Sequence, residues 1–221
     1  MREIGDSETL YCIEVPYARK MLSQNSWDQI YHEHLSYMTL QAAAAMLSGS
    51  GLHLHSVKQY PIHCGTIVMM IRHDQSQSPP EPTVQTLLDE EVITAEHWRT
   101  LGKVAANQKQ KLRSIIQDYR RQGKTVVGFG ASAKSTVWVN ACGLNRDHIQ
   151  FICDNTPQKQ YKFSPGSEIP IIDEGALMRE LPDYAVCWAW NFMPEILKRQ
   201  KPYLNHGGKF IVPVPEIRVV P

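Results

Sequence analysis

No sign of charge dominates this sequence: Lys and Arg number 23, Asp and Glu 22, a formal net charge of +1. A protein that neutralises many backbone phosphates carries a basic surplus, so a nucleic-acid partner is not expected. No apolar run approaches the roughly 20 residues that cross a bilayer. No apolar core of a secretory leader follows Met1 either. A cytoplasmic protein without a membrane partner is expected. The five cysteines, Cys12, Cys64, Cys142, Cys153 and Cys187, are widely spaced and form no C-x-x-C pair. That speaks against a zinc site and against a disulfide framework. Cys12, Cys153 and Cys187 sit in apolar, strand-like runs, where a cysteine serves as a small hydrophobe. What remains is ordinary globular composition: 221 residues, 43% hydrophobic and 20% charged. Such a length suffices for one large domain or two small ones with a proper core.

Residues 10–15 (LYCIEV) read as a buried strand ended by Pro16, with no helix or partner strand ahead of it. A lone buried strand needs neighbours, so the chain is expected to start inside a fold. Residues 39–47 read as an alanine-rich helix closing at Gly49 and Gly51. Residues 52–58 and 66–72 read as an antiparallel pair joined through Pro61 and Gly65. The stretch 75–83 (QSQSPPEPT) is a polar, proline-rich linker. Helical spacing follows from about 84 to 121, with Leu101, Val104, Ala105, Leu112, Ile115, Ile116 and Tyr119 recurring, and Gly123 caps it. From Lys124 strands (125–128, 149–153, 183–188, 209–212) alternate with helices (132–142, 193–203). The expected fold class is therefore α/β. A Rossmann-like parallel sheet of about four strands occupies 124–221. A linker and long helical region fill 75–123, and a lobe at 1–74 holds the antiparallel pair. Two lobes are expected, with their boundary near residues 74–84.

Gly128-Phe129-Gly130-Ala131-Ser132-Ala133 fits G-x-G-x-x-A between a strand and a helix. Glycines let a backbone turn tightly against a phosphate, and a helix N-terminus offers free N–H groups and positive potential. Lys134 adds a charge beside the turn. Asp154 ends the next strand, where a ribose-binding acid would sit. The plain alternative is a tight strand–helix turn with no ligand. The glycines alone do not separate a nicotinamide dinucleotide from a nucleotide-sugar diphosphate.

Residues 28–37 (DQIYHEHLSY) gather two histidines, two carboxylates and two tyrosines. Imidazole titrates near neutrality, as a base for carbon acidity should. A neighbouring carboxylate can orient the ring, and a tyrosine hydroxyl can donate to a developing oxyanion. The plain alternative is an exposed polar loop. H-E-x-x-H is absent, no third ligand is evident, and no metal is expected.

Together these segments resemble the sugar C-methyltransferases that act on nucleotide-linked 4-keto-6-deoxy sugars. The resemblance rests on IEVPY (13–17), DQIYHEHLSY (28–37) and GFGASAKS (128–135). It continues through FICDNTPQKQ (151–160), SPGSEIPI (164–171), WAWNF (188–192) and GGKFIVPVPE (207–216). It covers nearly the whole chain, and the YHEH, PG-x-x-IPI and WNF segments are more specific than the glycine turn. Such enzymes have an N-terminal zinc-binding domain, a methyltransferase domain and a nucleotide-binding α/β domain. The resemblance implies that this chain lacks the first part and the early strands of the second, including the loop for S-adenosylmethionine. The strand pair at 52–72 would be the far edge of the methyltransferase sheet. The family's Gly-Gly-Ser in the hairpin linker stands here as Cys64-Gly65-Thr66.

The implied chemistry is deprotonation at C3 of a nucleotide-linked sugar, with His34 as base and Glu33 orienting it. Tyr31 would bond the sugar or the enolate oxygen. Gly128, Gly130, Ser132, Lys134, Asp154 and Asn191 would form the nucleotide-sugar site, Ser132 and Lys134 holding the diphosphate. The cofactor of the whole enzyme would be S-adenosylmethionine, with a missing N-terminal portion or a separate chain carrying its site. Two other classes stay open: a non-catalytic nucleotide-sugar-binding module, and an NAD-dependent oxidoreductase using the Gly128 turn.

Overall fold

Ile67, Met69 and Ile71 are buried while Val68, Met70 and Arg72 between them are half-buried. That is the period-two pattern of a strand with one face on a core. The computed structural model describes residues 2–61 and 65–221; the expectation about Cys64 lies outside them. Its first sheet contains β1 (Tyr11–Pro16), β2 (Leu52–Tyr60) and β3 (Thr66–His73) in the order β1-β3-β2, with both pairings antiparallel. The expected strand pair is thus a triplet. The run at 10–15 is not a lone buried strand but an edge strand in register with β3, Tyr11 opposite Ile71 and Val15 opposite Ile67. Cys12 and Glu14 are exposed on it.

Helix α1 (Ala18–Ser23) follows β1, and α2 (Leu40–Ser48) buries Leu40, Ala43 and Leu47. Thr39 caps α2 by accepting the Ala42 N–H. Glu91, fully buried, accepts the Leu40 and Gln41 N–H groups, each at 2.9 Å. A carboxylate satisfies the orphan donors of a helix start and meets its positive end.

The region 75–123, expected as a linker and a long helical region, holds two helices, α3 (Pro82–Glu90) and α4 (Ala95–Arg121). Val84 of α3 packs into the core around Leu52, Ile67, Met69 and Ile71. The chain forms two compact units. The first runs to Gln24 and from His34 to Arg99; the second comprises Asn25–Glu33 and Thr100–Pro221. The division therefore falls within α4 and around residues 25–33, not at 74–84, because α3 belongs to the first core.

In the second unit short apolar runs stack side by side. They are β4 (Val126–Phe129), β5 (Ile152–Asp154), β6 (Lys162–Phe163), β7 (Pro170–Asp173), β8 (Tyr184–Cys187), β9 (Lys209–Val212) and β10 (Arg218–Val220). Their order is β10-β9-β8-β4-β5-β7-β6. The inner five are parallel, and β6 and β10 close the edges antiparallel. The sheet has seven strands where about four were expected. Helix α5 (Ala133–Ala141) follows β4, α6 (Ala176–Glu180) follows β7, and α7 (Met193–Arg199) and α8 (Lys201–Asn205) link β8 to β9. Val127, Phe129, Cys153, Cys187, Phe210 and Val212 build one core face, a covered parallel sheet. Among the described residues no helix is long and apolar enough to cross a membrane.

Candidate functional site

The chain leaves β4 toward β5 and leaves β8 toward β9, on opposite sides of the sheet. The crevice at the carboxyl ends of two such strands is where open α/β sheets take ligands. A cleft of about 450 Å³ opens there, lined by Gly130, Ser132, Asp154, Lys159, Ala189 and Phe192 among others. Gly130 has φ +90°, and a Cβ on it would lie 3.1 Å from the Ala189 Cβ. The two strand ends thus approach so closely that a side chain at Gly130 would press on Ala189. Gly128 lies two residues back, inside β4. A Cβ there would meet the Trp188 indole nitrogen at 2.8 Å and Ile152 at 2.9 Å, so its role is packing under the turn. Ser132 caps α5, its hydroxyl accepting the Ser135 N–H at 3.3 Å.

Asp154 is almost buried, 7% exposed. Its carboxylate accepts the Ala131 N–H at 2.6 Å and the Thr156 N–H at 2.8 Å. It therefore braces the glycine turn from the end of β5. Lys159 donates to the Ala131 carbonyl at 2.8 Å and lies 3.8 Å from Asp154. This cation lines the cleft and escaped the sequence reading. Its only signal is its place in the segment 151–160, five residues beyond Asp154. Also lining the cleft, Arg199 pairs with Glu174 at 2.9 Å.

Lys134 and Asn191 come together, but outside the cleft lining. The ammonium of Lys134 donates to Asn191 Oδ1 at 3.2 Å and stands 4.6 Å from the centre of the Trp190 ring. Under them lies Asp28, with no exposed surface. Its Oδ2 accepts the indole N–H of Trp138 at 3.0 Å and of Trp190 at 2.7 Å. Desolvation pushes the Asp28 carboxyl above the usual carboxylate range, and the charge of Lys134 and the two indole bonds oppose it.

Asp28 opens the histidine-rich segment. Trp27–Gln29 form a short 3-10 turn, with Trp27 and Gln29 buried as well. Trp27 donates to Gln108 at 2.7 Å and packs 4.2 Å from the ring of Trp138. Tyr31 and His34 are half-buried, His32 and Glu33 exposed, and residues 31–36 adopt neither helix nor strand. Tyr31 and Glu33 belong to the second unit, His34 to the first. Among the described residues no group of three His, Cys, Asp or Glu could hold a metal.

Residues 61–215 match the family described as C-methyltransferase C-terminal domain. A curated relative, the C-methyltransferase NovU of Streptomyces niveus, is 35% identical over 215 residues, 96% of this chain and 51% of the relative. The match lies in the C-terminal part of that protein, and the chain spans about half its length.

Proposed function

As this chain belongs to the C-methyltransferase family, we propose that it is the portion that binds a nucleotide-linked sugar and removes its C3 proton. The substrate would be a 4-keto-6-deoxy sugar on a nucleoside diphosphate, handled in the cytoplasm as part of deoxysugar biosynthesis. The observation that carries this reading is the crevice at Gly130. It combines a glycine at closely approaching strand ends, the capped start of α5 and the cation Lys159, with Lys134 beside the cleft. Ser132 and Lys134 hold the diphosphate, Asn191 supports Lys134, and the nucleoside extends past Asp154 into the cleft.

A C3–H bond next to a 4-keto group breaks to leave its electron pair in the enolate. The proton passes to the imidazole of His34, Glu33 stabilises the resulting imidazolium, and the Tyr31 hydroxyl donates to the enolate oxygen. S-adenosylmethionine supplies the methyl group to the family's chemistry. A donor crevice of that kind needs parallel strands ending in a turn. The first unit's described residues form an antiparallel sheet only, and the second unit's crevice is the nucleotide site. The residues described do not fit the donor, and the chemistry assigned to this chain ends at the carbanion. A further portion of the protein or a separate chain would carry the donor.

The test is deuterium exchange at C3 of a dTDP-linked 4-keto-6-deoxyglucose, followed by NMR, which needs base and sugar but no donor. His34→Ala should slow exchange by about 10²–10⁴-fold. Glu33→Gln should slow it less, because the base remains. Exchange at the wild-type rate in His34→Ala removes His34 as base and makes His32 the next candidate. Binding of the sugar nucleotide with no exchange in the wild type would favour the binding-module reading.

A further inference from the structure

Asp28 carries more than its bonds explain. Two indole N–H groups need an acceptor, and a neutral amide oxygen would serve both. The residue present is a carboxylate with no exposed surface. Both donors use Oδ2, while Oδ1 is buried with no hydrogen-bond partner among the described residues. Burying a charge costs far more than burying an amide, and a half-satisfied carboxylate is the costlier form. A fold that needed only to tie Trp138 to Trp190 would gain from asparagine here.

Among the described residues the charge has one counterpart. The field of Lys134 reaches Asp28, and between them stands Trp190. Its N–H points into Asp28 at 2.7 Å and its ring carries the Lys134 ammonium, 4.6 Å from its centre. An indole whose N–H donates to an anion is polarised, and its ring face becomes more attractive to a cation. Asn191, the residue after Trp190, accepts from that ammonium at 3.2 Å. Trp27, packed on Trp138 and bonded to Gln108, fixes the backbone from which Asp28 projects.

We propose that Asp28 is a positioning residue that, through the Trp190 indole, sets the Lys134 ammonium for the diphosphate of a nucleotide-linked ligand at the start of α5. The proposal rests on the reading of that crevice as the nucleotide site. It assigns a role to the first residue of the histidine-rich segment that is separate from proton transfer. It also accounts for a buried charge that works against stability, as strain held at a functional site does.

The experiment is a double-mutant cycle read by calorimetry with dTDP-glucose, whose diphosphate has no group titrating near neutrality. Wild type, Asp28→Asn, Lys134→Gln and the double variant are compared, with melting temperatures for each. Lys134→Gln should weaken binding about tenfold, the scale of a hydrogen bond to a charged group. Asp28→Asn should weaken it to a similar degree, and the double variant should bind no worse than Lys134→Gln alone. Asp28→Asn should melt no lower than wild type. A variant that melts lower or fails to fold makes Asp28 a structural carboxylate and overturns the proposal. So does unchanged affinity in Asp28→Asn, or a loss that adds fully to that of Lys134→Gln. If wild type does not bind dTDP-glucose, or Lys134→Gln binds as well as wild type, the crevice reading itself falls and takes the proposal with it.

Discussion

Single residues in this protein take their chemistry from neighbours far away in sequence. Asp154 and Asp28 are both aspartates in recognisable segments. Asp154 was legible because its partner, the glycine turn, lies on the preceding strand of an alternating pattern. Its use was not: it braces Ala131 and Thr156. Asp28 was passed over because the indoles that define it are 110 and 162 residues away. The cysteines show the same dependence. Cys142, Cys153 and Cys187 are buried, and desolvation pushes each thiol up to about 12. At pH 8 only about one molecule in 10⁴ carries any one of them as thiolate, the form that reacts. Cys12, in an apolar run of the sequence, faces outward on an edge strand. Brief iodoacetamide treatment at pH 8 should therefore alkylate Cys12, and peptide mapping should find Cys142, Cys153 and Cys187 unmodified until the chain is denatured. Early labelling of Cys153 or Cys187 would mean that the parallel sheet opens on that time scale.

Elements of the second sheet were legible where short apolar runs reach the core. VVGF, YAVC and the FIV of KFIV are hydrophobic runs, as a covered parallel sheet demands. Strands β6, β7 and β10 were missed: KF is exposed, PIID begins at a proline, and RVV is mostly exposed. The carboxylate cap on α2 comes from Glu91, some 50 residues onward, beyond any local pattern. The turn between β4 and α5 was legible because its requirement is local. It permits a controlled test, since Gly130 and Gly207 share φ +90° but differ in surroundings. Nothing lies within 4 Å of a Cβ on Gly207, whereas Ala189 crowds one on Gly130. Gly207→Ala should lower stability by the cost of backbone strain alone, about 1–3 kcal/mol. Gly130→Ala should cost more, and should also weaken nucleotide binding, because the strand ends must part. Equal melting temperatures for the two variants would mean that the crevice walls yield freely.

Across the whole molecule, the chain order and the packing order disagree at one place. Residues 25–33 lie early in the chain and belong to the unit otherwise formed by 100–221. Composition marks the proline-rich stretch at 75–83 as the natural cut, and for a continuous domain it would be. Here a cut at that point, or at 99, removes Trp27 and Asp28 from the core they complete. Trp27 is 6% exposed, packs against Trp138 with the rings tilted and bonds Gln108. Losing a buried tryptophan costs about 3–5 kcal/mol. The Trp138 and Trp190 N–H groups would also lose their shared acceptor. A fragment of residues 100–221 should then melt about 10 °C or more below the full chain, on the usual scaling of stability with melting temperature for a domain of this size. A synthetic peptide of residues 24–34 added in excess should raise its melting temperature by mass action. The same peptide with Asp28→Asn should restore stability at least as well, because the amide accepts both indole bonds without a buried charge. A fragment that melts with the full chain, indifferent to the peptide, would show that residues 25–33 only lie against the second unit and do not complete it.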